Sequence, residues 1–393
     1  MGHQVVPPVP LAALTELLSA VLNNSMAIYE VGPASSAIEK IVTDWLGSAL
    51  GMGKQAGGVL TSGGSIGNLT GLLAARQHKA DYDIWEQGTR DNRPLAVMVS
   101  AESHYSVARA VKIMGWGEKG IVKIPVNERR EINHHLLEET YKKASEQGKR
   151  VIAVVGNACS TSTGSYDPLE EMAAFCKKYD LWLHVDGAHG AGATLTTKYK
   201  HRVKGIEKVD SIVVDFHKML LCPALTTAVI FKNGKDSYET FSQKAAYLLS
   251  NKKEENWFDI AEQTLECTKK MLGVKIYAIL KIYGPQLFSD YITRTYDLAG
   301  EFAAMIKESG DFELALEPAS NIVCFRYAPE KSGTVELNEL NTNIRNRIKE
   351  DGEFYIVQTV IGGVVYLRTT LMNPFTSRND LTQLLEKIRK LVS

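Results

Sequence analysis

The sequence predicts an α/β protein: a large domain built on a mostly parallel sheet, then a smaller C-terminal α+β domain. Two observations carry this. Between residues 58 and 231, short runs rich in β-formers alternate with helical patterns, the order expected when each strand returns through a covering helix. After residue 285 that alternation stops. A chain of 393 residues, 45% hydrophobic and 23% charged, is long enough for one large core and a smaller one.

Taken in order, "LAALTELLSAVL" and "SAIEKIVTDWLGSAL" repeat apolar residues with helical spacing, predicting two packed helices before a Gly-rich break at 51–58. Strand and helix then alternate: "GGVL" with "SIGNLTGLLAARQHK", "LAVMVS" with "YSVARAVKIMG", "GIVKIPV" with "LLEETYKKASEQG", and "RVIAVVG" with "PLEEMAAFCKKY". Three further strands are expected at "LWLHVD", "SIVVDF" and "TTAVIF". A long helix is predicted over "CTKKMLGVKIYAILKIYG", interrupted at Gly284 and Pro285, and another over "SDYITRTYDLAGEFAAMIKESG". Strands "NIVCFRYA" and "GVVYLRTTLM" and the helix "RNDLTQLLEKIRKLV" complete the chain. The expected divisions are a helical segment at 1–50, the large domain at 51–285 and the small one at 286–393.

Composition narrows the function. Lysines and arginines number 45 and acids number 45, so no net field draws the chain to nucleic acid or an anionic membrane, and a small-molecule partner is expected. The five cysteines are scattered without a CxxC pair, which argues against a disulfide framework and a zinc site and favours a reducing cytoplasm; no metal is expected. No signal-peptide pattern or membrane-length apolar run occurs.

Polar residues collect at the predicted strand ends, where open parallel sheets bind ligands. "TSGGSIGN" (Thr61–Asn68) places Gly63, Gly64 and Ser65 between strand and helix, where backbone N–H groups can hold a phosphate. Glycines there also serve backbone geometry alone. His104 in "SAESHYSV" follows the next strand, placed either to lie on an aromatic ligand or to cap a helix. "NACSTSTGSYDPL" brings four consecutive hydroxyls, Ser160 to Thr163. Asp186 ends the apolar strand "LWLHVD"; a buried carboxylate needs a cationic or hydrogen-bonding partner, met by a protonated heterocycle, a salt bridge or a cap. Lys218 in "SIVVDFHKML" stands among apolar neighbours, and lost hydration is expected to lower its pKa and make the amine nucleophilic. Phosphate turn, stacking histidine, buried aspartate and amine together match what pyridoxal 5′-phosphate requires.

The motifs "TSGGSIGNL", "SHYS", "HVDGAHG" and "DFHKM" have the order and spacing of the group II pyridoxal-phosphate-dependent amino-acid decarboxylases, which this chain resembles from about residue 3 to its end. That family includes aromatic-amino-acid, glutamate, cysteine-sulfinate and diaminobutyrate decarboxylases. The resemblance implies the pyridoxal-phosphate-dependent transferase fold type I, a homodimer with its active site at the subunit interface, and α-decarboxylation of an L-amino acid to the amine and CO2. Other chemistry on the same cofactor (oxidative deamination, transamination or carbon–carbon bond formation) and a non-catalytic subunit are the alternatives. By the same resemblance, Lys218 forms the Schiff base, Gly64 and Ser65 cradle the phosphate with help from His217, and His104 and Ala188 cover the two ring faces. Asp186 meets the pyridine nitrogen, Thr161 directs a hydroxyl to the cofactor or substrate, and Arg368 receives a substrate carboxylate or makes a structural ion pair. Three departures stand out. "GHQVVPP" resembles the interior of a family member, so the interlocking N-terminal arm is expected to be absent or supplied elsewhere. Residues 250–270 contain no tyrosine, although Tyr247 is close, and they carry Lys269 and Lys270 where family members have arginines. Asp215 stands where some members have asparagine.

Overall fold

Each of the seven apolar runs between 58 and 231 forms a strand in the computed structural model, which describes residues 1–90, 92–241, 258–329 and 333–392. These are β1 (Gly57–Thr61), β2 (Leu95–Ser100), β3 (Ile121–Ile124), β4 (Arg150–Asn157), β5 (Trp182–Asp186), β6 (Ser211–Asp215) and β7 (Thr227–Phe231), ordered β1-β7-β6-β5-β4-β2-β3. Strands β2 to β6 pair in parallel, whereas β7 is antiparallel to both β6 and β1. The exception has a local cause: residues 216–226 join β6 to β7 without a crossover helix, and a connection that short reverses the chain.

The helices are α1 (Pro10–Leu22), α2 (Pro33–Ala49), α3 (Gly64–Lys79), α4 (Ile84–Gln87), α5 (Tyr105–Ile113), α6 (Leu137–Glu146), α7 (Leu169–Tyr179), α8 (Lys235–Phe241), α9 (Gly273–Ile282), α10 (Gln286–Glu308), α11 (Thr334–Asp351) and α12 (Arg378–Val392). One face of the large sheet packs Val59, Val97, Val155 and Val213 under α3 and α5. The other packs Met98, Val154, Val185 and Ile212 into the core that includes residues of α6, α7 and α9. Alternate residues of each strand enter opposite faces, as a doubly covered sheet requires. A second, antiparallel sheet, ordered β10-β11-β9-β8, comprises β8 (Phe312–Leu314), β9 (Ile322–Tyr327), β10 (Val357–Ile361) and β11 (Val364–Thr370).

Helix α3 lies close on the large sheet because two residues it sets against the strands, Gly67 and Gly71, have no side chain. A Cβ at Gly67 would come within 3.1 Å of Val213, and one at Gly71 within 2.4 Å of the His184 ring. That contact sets the depth of everything on the helix between them.

The structure differs from expectation at several elements. The helix predicted from Cys267 begins only at Gly273, because Lys269 turns inward and is 1% exposed. Helix α1 packs as expected, but through one side only, against α9; it buries Ala12 and exposes Leu14, Leu17, Leu18, Val21 and Leu22. Strands β8 and β10 and helix α11 add to the small sheet's layer; β8 is three residues long and β10 buries only Val357, leaving little pattern to read.

Lys269 closes the free edge of β1. Its Nζ donates to Glu39 Oε1 and to the Leu60 carbonyl, both at 2.5 Å, while the Leu60 N–H donates to the same Glu39 oxygen at 2.9 Å. An edge strand with unmet backbone groups is thereby satisfied inside the protein. Replacing Lys269 with Met strands a carboxylate that is itself 1% exposed, and is expected to cost about 3–5 kcal/mol. Urea denaturation of Lys269→Met checks this; a loss below about 1 kcal/mol would show the pair to be dispensable.

Candidate active site

Strands β4, β5 and β6 end side by side, with Asn157 opposite Asp186 and Asp186 opposite Val213. Their connections therefore converge at one end of the sheet. Asp186 is 7% exposed, and its two oxygens accept from separate N–H groups: Asn68 Nδ2 at 2.9 Å to Oδ2 and the Ala188 amide at 3.2 Å to Oδ1. The Ala188 carbonyl in turn accepts from the Asp215 amide at 3.2 Å, which locks the turn after β5 to the end of β6.

The phosphate-type turn lies beside them. Gly63 has φ 111°, a value open to glycine, and α3 starts at Gly64 with no side-chain cap. Its first N–H groups are the donors a helix leaves unsatisfied. A Cβ on Gly64 would sit 3.3 Å from both Asp215 carboxylate oxygens and 3.7 Å from the Ala188 methyl, so this turn, Ala188 and Asp215 form one concave wall.

Lys218 Nζ lies 2.9 Å from Asp215 Oδ2, with the lysine side chain 19% exposed and the aspartate 2%. The expected fall in its pKa does not occur. Burial is the largest influence and lowers it, but the carboxylates of Asp215 and Asp186 act together against that and raise it overall. Sequence reasoning counted the desolvation and not the two anions. His217 Nε2 is 3.5 Å from the same Asp215 oxygen, and Thr227 Oγ1 donates to the other. His104 is drawn to the cluster through Ser106, whose Oγ lies 2.8 Å from His104 Nδ1 and 2.9 Å from Asn68 Nδ2. Burial holds the His104 pKa below its usual value; Asp186 opposes that and Lys218 adds to it.

Of the four consecutive hydroxyls, Ser160, Thr163 and Ser162 are spent on protein partners: the first two bond each other at 2.9 Å and Ser162 donates to Glu102. Among the described residues the Thr161 hydroxyl makes no hydrogen bond. The Thr161 carbonyl accepts from Arg368 Nη1 at 2.6 Å, which brings the small sheet to the site. Arg368 is 7% exposed, its Nε has no partner, and no carboxylate within the described residues pairs with it, so the structural ion pair weighed for it is not formed there. Tyr247 and residues 250–257 lie outside the described residues; Lys269 faces Glu39 and not the site.

A family profile, the pyridoxal-dependent decarboxylase conserved domain, matches residues 9–328. The chain belongs to this family. The L-2,4-diaminobutyrate decarboxylase of Acinetobacter baumannii is 31% identical over 405 aligned residues, covering 99% of this chain and 78% of that protein. The aromatic-L-amino-acid decarboxylase of Bacillus atrophaeus is 30% identical, covering 96% and 78%. Among solved structures, the glutamate decarboxylase domain of the diaminobutyrate-pyruvate transaminase and L-2,4-diaminobutyrate decarboxylase from Vibrio parahaemolyticus superposes with a TM-score of 0.88 at 29% identity, covering 100% of this chain and 80% of that one. Pyridoxal-phosphate-dependent decarboxylation of an amino acid is thus the activity, with pyridoxal 5′-phosphate as cofactor.

Sequence reading of the decarboxylase missed His189, Asn68, Ser106 and His184, although all four stand in or beside quoted motifs. His189 is 3% exposed; its Nε2 is 2.7 Å from Asn321 Oδ1 and its Nδ1 has no partner. Burial first, then the charges of Lys218 and Arg368, push its pKa down to about 3. A folded-state pKa below the unfolded value of about 6.5 gives stability that is present above pH 6.5 and lost as pH falls. Relative to His189→Gln, the parent decarboxylase is expected to lose about 2 kcal/mol between pH 7 and pH 5. Urea unfolding of both at the two pH values checks this, and parallel curves would refute it.

Proposed function

We propose that the converging strand ends are the catalytic centre of an L-amino-acid α-decarboxylase that releases the amine and CO2. The observation that carries this is the wall made by the uncapped Gly64 turn, Ala188, Asp215 and Lys218, with the buried Asp186 carboxylate behind it. These residues fit pyridoxal phosphate: a cradle that a Cβ at 64 would crowd, an amine to attach it, and an anion for its ring nitrogen.

Lys218 would be the residue that attaches the cofactor; its amine is a nucleophile only once it has given up a proton, for which Asp215 Oδ2 at 2.9 Å is the acceptor in contact. Gly64 and Ser65 hold the phosphate through backbone N–H groups, with His217 beside them. His104 and Ala188 cover the two faces of the ring, and Asp186 meets its nitrogen. The Thr161 hydroxyl, without a partner among the described residues, points the reading toward a cofactor or substrate contact, and Arg368, which pairs with no carboxylate among the described residues, takes a substrate carboxylate. When bound, the cofactor supplies the electron sink that accepts the bonding pair as CO2 leaves. The residues around it decide which bond is aligned to break.

Two further points belong to this reading. Leu14, Leu17, Leu18, Val21 and Leu22 form an exposed apolar stripe on α1, which supports burial of that helix against a second copy in a homodimer. All five cysteines are free, in keeping with a cytoplasmic setting.

Incubation with pyridoxal phosphate, borohydride reduction and peptide mass spectrometry is expected to place a pyridoxyl group on Lys218, with none in Lys218→Ala. Release of CO2 and amine from a panel of L-amino acids should cease in that variant. Aldehyde with peroxide in place of amine would overturn the decarboxylase reading. The double variant Leu17→Glu, Val21→Glu should elute as a monomer in light-scattering chromatography where the parent elutes as a dimer; a monomeric parent would refute the homodimer.

A further inference from the structure

The hydrogen bonds behind Asp186 form a chain in which every donor can be assigned. Trp182 Nε1–H donates to Ser211 Oγ at 2.8 Å, which leaves the Ser211 hydrogen for His184 Nδ1, also at 2.8 Å. His184 Nε2 must then carry the proton, and it faces Asn68 Oδ1 at 3.0 Å. The Asn68 amide has two hydrogens and two acceptors: Asp186 Oδ2 and Ser106 Oγ, both at 2.9 Å. Reversing the amide would turn its oxygen toward a carboxylate, so its orientation is fixed by chemistry. Ser106, having accepted, donates its own hydrogen to His104 Nδ1, which also accepts the Ser106 amide at 3.3 Å. Asn68, Ser106, Asp186, His184 and Ser211 are each 7% exposed or less, so water does not rearrange the chain. Burial lowers the His184 pKa to about 4, in agreement with the neutral ring that the bonds require.

We propose that Asn68 is the positioning residue of the cofactor site: its one amide group orients the Asp186 carboxylate toward the pyridine nitrogen and, through Ser106, fixes the His104 tautomer with Nδ1 as acceptor and Nε2 carrying the proton. His184 and Ser211 act behind it, holding Asn68 Oδ1 so that both amide hydrogens face the site. The contact of α3 with the sheet is part of the device, since a Cβ at Gly71 would lie 2.6 Å from His184 Nδ1 and displace the ring that anchors Asn68. This inference rests on the assignment of Asp186 to the ring nitrogen.

The test uses Asn68→Asp, which keeps the shape and replaces the donor by an acceptor. Two carboxyl groups at hydrogen-bond distance share a proton, so the hold on a protonated ring nitrogen weakens. Equilibrium dialysis of the full chain is expected to show pyridoxal 5′-phosphate bound at least about tenfold more weakly by the variant. The analogue with carbon in place of the ring nitrogen, 1-deazapyridoxal 5′-phosphate, should bind parent and variant within about threefold, because Asp186 has nothing to grip. Equal loss for both ligands would mean a merely structural asparagine and would overturn the proposal, as would undiminished binding of the natural cofactor. Nitrogen-15 NMR of the histidine rings in the unmodified protein, assigned with His184→Gln, gives a second measurement should Asn68→Asp fail to fold. Protons on Nε2 of both His184 and His104 support the chain; a proton on Nδ1 of either ring overturns it. If the parent itself fails to bind pyridoxal phosphate, the cofactor assignment falls and with it the role toward the ring, while the NMR result still reports on the chain.

Discussion

The close contact between α3 and the large sheet is the constraint on which the site depends. A helix normally keeps its distance from a sheet because side chains stand between them. Here Gly67 sits over Val213 and Gly71 over His184, so the helix comes down until Asn68, between them, reaches the floor of the sheet. The same descent places the first turn of α3 next to Ala188 and Asp215. One packing event thus puts an anion-accepting helix start, a carboxylate and its amide donor within a few residues of each other in space. A side chain at either glycine would lift the helix start and Asn68 together, away from the carboxylate on the sheet.

Charge balance in the site is equally constrained. Asp215 serves Lys218, His217 and Thr227 at once, and a carboxylate 2% exposed is tolerable only with such partners. The arrangement explains why the lysine is held as a cation despite its burial: loss of its proton to solvent would leave Asp215 short of its nearest counter-charge. The uncapped helix start at Gly64 and the His217 ring lie beside the same carboxylate.

The seven strands of the large sheet were legible because a strand buried on both faces is written as a continuous apolar run, and Asp186, His104 and Lys218 were legible because polar residues at the ends of such runs are costly unless used. What escaped was set by contacts distant in sequence. Lys269 was read within a helix, yet Glu39 and Leu60, more than 200 residues away, draw it out of one. Asn68 was visible only as the end of a glycine-rich motif; its partners Asp186 and His184 on β5 and Ser106 on α5 come from two other segments. Helix α11 buries only Leu337, Asn341, Ile344 and Ile348, and four asparagines dilute its helical period. Strong local pattern survives translation into structure; single long-range bonds leave no trace in a window of neighbours.

The small sheet is part of the site rather than an appendage to it. Arg368 holds the Thr161 carbonyl, Asn321 holds His189, and a Cβ at Gly164 would lie 2.9 Å from Ile322 Cβ. The 158–165 loop is therefore clamped from both sides: Glu102 binds it through Ser162 from the large sheet, and β9 and β11 bind it from the small one. Lys218 and Asp186 are held by the large sheet and its helix α3, but the position of Thr161 and of the Arg368 guanidinium depends on how the two sheets meet. The Thr161 carbonyl and the Arg368 guanidinium are thus fixed by contacts between the sheets, and Lys218 and Asp186 by contacts within the large one.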